Sequence, residues 1–198
     1  MKQLSLRPML VLLVTVAFLT SCGGSSSTTA GTTNSNKSPA STDVVGSTLF
    51  TSEAGGFSVT LPAGFAPFQE KRNEATKMTG YTSSGPNDTA CNISYSEFSD
   101  ALAGQLDDPE KMDKALGAMR ENSMKGMNGL PDKEEKINLQ GHPGLSVHGM
   151  IAGAQTLHFR MDNIIANKRG YRFGCLSTNK EELDKPEIKA FFNSFQLK

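Results

Sequence analysis

From about residue 46 onward, apolar residues mostly alternate with polar ones, which is the pattern of half-buried β-strands. The clearest run is Phe57, Val59 and Leu61, which share one face of a strand that Pro62 ends. Similar runs predict further strands over residues 77–82, 90–98, 133–140, 144–152, 155–166 and 171–177. We therefore expect six or seven mostly antiparallel strands joined by short turns.

Two segments have the periodicity of helices instead. Asp108 is a suitable N-cap and Pro109 suits a first helical turn, so a helix is expected from there to about residue 128. Its apolar stripe consists of Met112, Ala115, Leu116, Met119 and Met127. A second helix is expected over about 180–193, unless Pro186 starts it and 180–185 forms a turn. The predicted fold class is α+β, with an antiparallel sheet of about six strands flanked by helices.

The N-terminus has the features of an export signal. Lys2 and Arg7 precede an apolar run of about 11 residues from Met9 to Leu19, whereas a membrane-spanning helix needs about 20. The run ends in Leu19-Thr20-Ser21-Cys22, which resembles the lipobox of bacterial lipoproteins. That resemblance implies removal of residues 1–21, a diacylglyceryl thioether on Cys22 and an acylated amine. An ordinary secretory signal with a chance Cys, or a small uncleaved anchor, is the alternative.

The location that follows is the cell envelope, on the exported face of a membrane. Gly23 follows the Cys where an Asp would resemble an inner-membrane retention signal, so the outer membrane is favoured if the cell has two. Several acyl chains anchor a protein firmly, unlike a single one. The membrane is thus a predicted partner, through the lipid on Cys22.

A linker is expected over residues 22–45. Sixteen of the twenty residues 23–42 are Gly, Ser, Thr or Asn, and such a stretch cannot bury enough apolar area to offset its ordering entropy. A glycosylated stalk is the alternative. The remaining residues, 46–198, are predicted to form one α+β domain.

Charge argues against one class of partner. The chain has 20 Lys+Arg and 20 Asp+Glu, and loss of Lys2 and Arg7 with the signal leaves 18 basic against 20 acidic residues. A nucleic-acid binder would have a basic surplus, so no nucleic-acid partner is expected.

Cysteine usage favours a disulfide. Once Cys22 carries lipid, Cys91 and Cys175 remain, and an even pair in an exported chain usually forms a disulfide. Two buried free thiols and a metal site are the alternatives. A zinc site is disfavoured because neither Cys has a His or a second Cys at ligand spacing.

Three segments of the domain carry a family resemblance. They are Gly-Gly-Phe-Ser-Val-Thr-Leu-Pro over 55–62, Gly-His-Pro-Gly over 141–144, and Phe-Phe-Asn-Ser-Phe over 191–195. In that order they resemble the PsbP-like domains of small exported bacterial proteins and lipoproteins. The resemblance implies an α/β/α sandwich that serves as a binding scaffold, with no family active site to transfer.

The histidines suggest the sharpest chemical hypothesis. If Val147 and Gly149 share a face with Phe159, one register places Val147 opposite Phe159 and His148 opposite His158. Two imidazoles so placed could share a metal ion. Two separate, partly exposed histidines are the alternative. The methionines of the first helix could bind monovalent copper, but their spacing also suits a core-facing stripe.

Motifs for catalysis are missing from the sequence. It has no Gly-x-Ser-x-Gly, no His-Glu-x-x-His and no Gly-rich phosphate loop, so neither an enzyme nor a cofactor is expected. The predicted function is a membrane-tethered, non-catalytic binding or assembly domain, whose partner is an envelope protein or a small ligand. A metal-binding lipoprotein that uses His148 and His158 is the first alternative, and a hydrolase with an unrecognised site is the second.

Overall fold

The structure is a computed structural model that describes residues 46–198. The predicted signal peptide (1–21), the lipid site at Cys22 and the predicted linker (22–45) lie outside the described residues. Within 46–198, no helix is both long and apolar enough to cross a membrane.

Ten strands and three α-helices make up this part of the chain, together with one 3-10 helix at Lys180–Asp184. The strands are β1 (Thr48–Ser52), β2 (Phe57–Leu61), β3 (Gln69–Asn73), β4 (Met78–Ser84), β5 (Ala90–Glu97), β6 (Gly129–Leu139), β7 (His142–Ile151), β8 (Leu157–Ala166), β9 (Arg169–Ser177) and β10 (Gln196–Leu197). The α-helices are α1 (Asp100–Ala103), α2 (Pro109–Met127) and α3 (Pro186–Asn193).

The strands form two antiparallel sheets. The larger has seven strands in the order β3-β4-β5-β9-β8-β7-β6, and the smaller has three in the order β1-β2-β10. The expectation of one sheet of about six strands flanked by helices is therefore wrong. The predicted strand over 57–61 belongs to the small sheet, and α1 and α3 have only four and eight residues.

Edge strands explain part of this error. All five residues of β3 are exposed, and its sequence Gln-Glu-Lys-Arg-Asn has no apolar residue to mark a strand. Charged edges hinder pairing with other chains, and a bulge between Pro131 and Lys133 does the same in β6 at the opposite edge. Strand β3 pairs only with β4 and buries no side chain, so the apolar pattern does not reveal it. The sheet therefore has more strands than that pattern predicts.

Local signals account for the helices. The Asp108 side chain accepts a hydrogen bond from the backbone N–H of Glu110 at 3.0 Å, and so caps α2. Asn128 ends the helix in the left-handed region, at φ 53°. Pro186 starts α3, and the residues before it form the 3-10 helix rather than a continuous helix.

One face of the seven-stranded sheet, here called the aromatic face, packs against α3 and the small sheet. Phe195 is fully buried there between two other rings, with its centroid 4.3 Å from that of Phe173 and 5.4 Å from that of Phe57. Phe191 and Phe192 of α3 belong to the same cluster. The Phe-Phe-Asn-Ser-Phe segment is thus the C-terminal part of the main core, where aromatic rings contribute large buried areas.

The opposite face, here called the α2 face, carries the second part of the core. Helix α2 packs on β6, β7 and β8. Met124 lies there against Val147, Phe159 and Met161, and Leu116 packs against Ile165 nearer the start of the helix. The strands β3, β4 and β5 lie beyond this contact, at the other side of the sheet.

The predicted cysteine pair joins two adjacent strands. Cys91 of β5 lies directly opposite Cys175 of β9, and their sulfur atoms are bonded. Both side chains are buried on the aromatic face. The bond closes a loop with a sequence separation of 84 residues.

Replacing both cysteines, as in Cys91→Ala with Cys175→Ala, is expected to lower the free energy of unfolding. The chain-entropy model gives about 4 kcal/mol for a loop of this length. Urea denaturation of the full chain measures the change. A reducing agent should destabilise the wild type by a similar amount and leave the double variant unaffected. An unchanged midpoint in the double variant would contradict a stabilising disulfide.

Candidate functional site

The uncovered part of the α2 face forms a cleft of about 700 Å³ beside α2. Strand alternation decides which side chains reach it, because neighbouring residues of a strand point to opposite faces. Thr82 of β4 and the paired Asn92 of β5 lie on its floor, with Ser94 one step further along β5. Hydroxyl and amide groups therefore line the open part of the sheet face.

Helix α2 forms the wall of the cleft, through Ser123, Gly126 and Met127. A Cβ atom placed on Gly126 would meet no atom within 4 Å, so this glycine leaves open space at the wall. Met127 contributes an apolar edge, and Met78, Ile151 and Leu176 add apolar side chains elsewhere around the cleft. The cleft is thus amphipathic, with a polar floor and apolar flanks.

Arg172 is the charged residue of the cleft lining that contacts α2. It lies on β9, opposite Ser94 of β5 and Asn163 of β8, where the open floor meets the wall. Its Nη1 donates a hydrogen bond to Ser123 Oγ at 2.8 Å, and Ser123 Oγ donates in turn to the Met119 carbonyl at 2.8 Å. The guanidinium is therefore held between the sheet and α2.

Arg172 forms no ion pair within the part of the chain that the structure describes. The second hydrogen bond of its side chain is a weak one, from Nη2 to Met78 Sδ at 3.7 Å. Burial lowers the pKa of its guanidinium from the usual value, because desolvation disfavours the charged form. A partly buried cation without an anionic partner is unusual, since unpaired buried charge is costly.

Sequence reasoning missed Arg172. Its neighbours Tyr171 and Phe173 mark a strand and place Arg172 on the face opposite the aromatic rings. This alternation in the sequence indicates the face on which Arg172 lies. It does not indicate that α2 crosses this face beside Arg172, because the hydrogen bond between Arg172 and Ser123 joins residues far apart in the chain.

The histidines do not face each other as predicted. His148 pairs with Arg160, and His158 pairs with Met150, so the true register is displaced by two residues from the expected one. The physical reason is the fit of Phe159 over Gly149, whose added Cβ would lie 2.8 Å from the Phe159 ring. Both histidines remain on the same face, because a shift by two preserves it.

Charges of both signs surround the histidines, since the same small cavity is lined by Asp132, Asp184, Arg160 and Lys180. Arg160 lies opposite His148, with its guanidinium 3.9 Å from the centre of the Phe192 ring and 3.1 Å from Asp162 Oδ2. Ser146 Oγ donates to Asp162 Oδ1 at 2.6 Å. Nowhere in 46–198 do three His, Cys, Asp or Glu side chains gather as metal ligands would. The predicted opposition of His148 and His158 is thus wrong, and the pair has no third ligand there.

The methionines of α2 pack against the core, and Met127 also reaches the cleft. Met124 is buried against Val147 and Phe159, with Met127 partly buried beside it. Met112 and Met119 pack in the neighbouring cluster around Leu116. Their spacing therefore follows the packing stripe of the helix.

A second cleft of about 710 Å³ lies near α1 and the β8–β9 turn. His142, which the sequence places in a turn, lines it. Asp100 and Lys168 form an ion pair with each other at 3.1 Å. The third charged residue of this cleft, Asp107, is exposed to solvent. The cleft therefore offers no partly buried, uncompensated charge comparable with Arg172.

Comparisons with known proteins bear on the fold. No protein-family model matches the chain, and no curated protein matches it. Among solved structures, the cyanobacterial PsbP protein CyanoP from Synechocystis sp. PCC 6803 is similar with a TM-score of 0.59 and 10% identity, over 82% of this chain and 98% of that one. This similarity shows that the chain has a PsbP-like fold.

Two other solved structures are similar at lower scores. The protein of unknown function PA94 from Pseudomonas aeruginosa, named as a putative regulator, has a TM-score of 0.44 and 16% identity, over 75% of this chain and 94% of that one. A protein from Bacteroides thetaiotaomicron VPI-5482 has a TM-score of 0.48 and 10% identity, over 78% of this chain and 49% of that one. The fold assignment rests on the cyanobacterial protein.

The surroundings of His148 predict a pH-dependent stability of the domain. Burial lowers the pKa of its imidazole, and Arg160 and Lys133 lower it further, against smaller opposing effects of Asp162 and Glu135. The folded protein therefore binds this proton less readily than the unfolded chain. The resulting contribution of His148 to the free energy of unfolding is present above the imidazole pKa of the unfolded chain, about 6.5. It is lost as the pH falls from there toward the lower pKa of the folded state.

We expect the Tm of the full chain to fall on acidification from about pH 7.5 to about pH 5.5, and to fall less in His148→Gln. The variant cannot take up the proton that the unfolded wild type takes up. His142→Gln is the matched control and should follow the wild type. Identical pH profiles for His148→Gln and the wild type would show that His148 is not the group responsible.

Proposed function

We propose that this protein is a membrane-tethered, exported binding domain without catalytic activity, and that the cleft beside α2 is its binding site. The observation that carries the proposal is the convergence of polar side chains on the half of the sheet face that α2 leaves open. A cleft of about 700 Å³ lies within the range of sites for small organic ligands, which is about 300–1,000 Å³. A small ligand therefore suits it better than the flat surface of an envelope protein.

The chemistry of the lining supports a non-catalytic role. The polar groups on the floor are hydroxyls and an amide, which hold a ligand by hydrogen bonds and are poor general acids or bases at neutral pH. In the described part of the chain, the cleft lining includes no histidine, and its one carboxylate is Glu74 at the rim. Binding needs no proton transfer, so these groups are sufficient for it.

The lipobox-like Leu19-Thr20-Ser21-Cys22 supports the tether, and the Gly/Ser/Thr-rich composition of residues 23–42 is typical of a linker. A lipid on Cys22 would keep the cleft at the exported surface of a membrane, in the outer membrane if the cell has two. The binding domain would then meet ligands of the cell envelope.

The tether is tested by Cys22→Ala. Without the thiol no thioether can form, so the variant should incorporate no labelled palmitate and should leave the detergent phase in a phase-separation assay. The Cys91→Ala, Cys175→Ala double variant is the control and should remain labelled. Palmitate incorporation into Cys22→Ala would contradict the tether.

The binding site is tested by filling the cleft. Gly126→Trp places an indole ring at the wall, whereas Gly117→Trp places the same ring on α2, outside the cleft lining. A Cβ at either glycine meets no atom within 4 Å, so both variants should fold. The full chain is purified gently from membranes, and native mass spectrometry measures the small molecules that remain bound.

We expect compounds that the wild type and Gly117→Trp retain and Gly126→Trp loses. The physical reason is direct exclusion from the cleft by the indole ring. Equal retention by the two tryptophan variants, or the absence of any compound that distinguishes them, would contradict the cleft as the binding site.

A further inference from the structure

The guanidinium of Arg172 has unused hydrogen-bonding capacity. A guanidinium carries five N–H donors in a rigid planar fork. Two of its nitrogens have contacts, Nη1 with Ser123 and Nη2 with the Met78 sulfur, and the latter is a weak acceptor. Nε has no hydrogen-bond partner within 46–198 and is not fully enclosed. Because Arg172 lines the cleft, this N–H is a candidate donor to a ligand there.

Charges around the cleft favour an anion. Lys71 lies at the rim near Glu74, and Arg172 lies at the back. The neighbouring Arg72 belongs to the alternate set of β3 residues, which points to the aromatic face like Tyr81. Arg72 is paired with Glu70 at 2.7 Å, whereas Lys71 has no ion pair within the described range. An anion on Arg172 would therefore be attracted by positive charge and would offset the unpaired charge of the guanidinium.

The apolar side chains around the cleft set a second requirement for its ligand. Met78, Met127, Ile151 and Leu176 lie around the same cleft, so a fully hydrated inorganic ion would leave their surfaces without a partner. Thioether side chains adapt readily to apolar ligands of irregular shape. A ligand that satisfies the whole cleft has an anionic head and an apolar body.

We propose that the cleft binds an amphipathic organic anion, whose carboxylate is held by the guanidinium of Arg172 and whose apolar body lies against the methionines. This inference rests on the proposed function, since it names the ligand class for the same cleft. A carboxylate matches the fork of a guanidinium with two parallel hydrogen bonds, which are stronger than neutral ones. Ser123 is then a positioning residue, because it orients the guanidinium toward the ligand.

The test compares two probes of nearly equal shape, 4-phenylbutanoate and its neutral amide, 4-phenylbutanamide. Isothermal titration calorimetry of the full chain measures both affinities, with inorganic phosphate as a third probe. The wild type should bind the acid at least about tenfold more tightly than the amide, as expected for charge-assisted hydrogen bonds. Phosphate should bind more weakly than the acid, because it lacks the apolar body.

Arg172→Met should abolish the preference for the acid and leave the affinity for the amide within about twofold. Arg172→Gln is a second variant, in case the first does not fold, and should also abolish the preference. Arg169→Met is the matched control, because Arg169 lies on the same strand but points to the aromatic face, near Tyr95. It should keep the wild-type preference.

The outcomes separate the ligand class from the binding site. Equal affinities for acid and amide in the wild type, with both lost in Gly126→Trp, would overturn the anion proposal and leave the cleft as a binding site. A preference that survives in both Arg172 variants, or an acid that the wild type does not bind, would also overturn it. A preference that survives in Gly126→Trp would place the binding elsewhere and overturn the site itself.

Discussion

A single helix cannot cover one face of a seven-stranded sheet, and the rest of the structure follows from that constraint. Strands are spaced about 4.8 Å apart, so the sheet is about 29 Å wide, whereas a helix with its side chains is about 10 Å across. Helix α2 packs on β6, β7 and β8, and the face over β3, β4 and β5 stays open. The other face is filled by α3 and the small sheet. The aromatic face is therefore covered and forms a closed core, whereas the α2 face is core on one half and an open cleft on the other.

Arg172 lies at the border between those two halves of the α2 face. If Arg172 lay further under the helix, its charge would be buried without a partner. If it lay further out, its charge would be hydrated like that of Lys71 at the rim. The contact with Ser123 holds Arg172 at this border, where the guanidinium is partly desolvated but still meets the cleft. The same position makes it unimportant for the aromatic core and suited to a ligand, which is why the proposed function and the proposed ligand class both depend on it.

Local patterns in the sequence predict the elements that carry apolar alternation or a helix cap, such as β9 with Tyr171 and Phe173 or α2 after Asp108. They also predict the pairing of Cys91 with Cys175. They miss β3, because an edge strand that is exposed on both faces needs no apolar residue. They misplace His148 against His158, because period-two alternation determines the face of a residue and leaves even shifts of register open. The role of Arg172 depends on where α2 crosses the sheet, a non-local contact with no local signature.

A crystal structure of the full chain with 4-phenylbutanoate would locate the anion relative to the open half of the sheet face. We expect carboxylate oxygens about 3 Å from the Arg172 guanidinium nitrogens and a phenyl ring against Met78 and Met127. A structure in which α2 or another element covers β4 and β5, or in which the anion binds away from Arg172, would contradict the proposal.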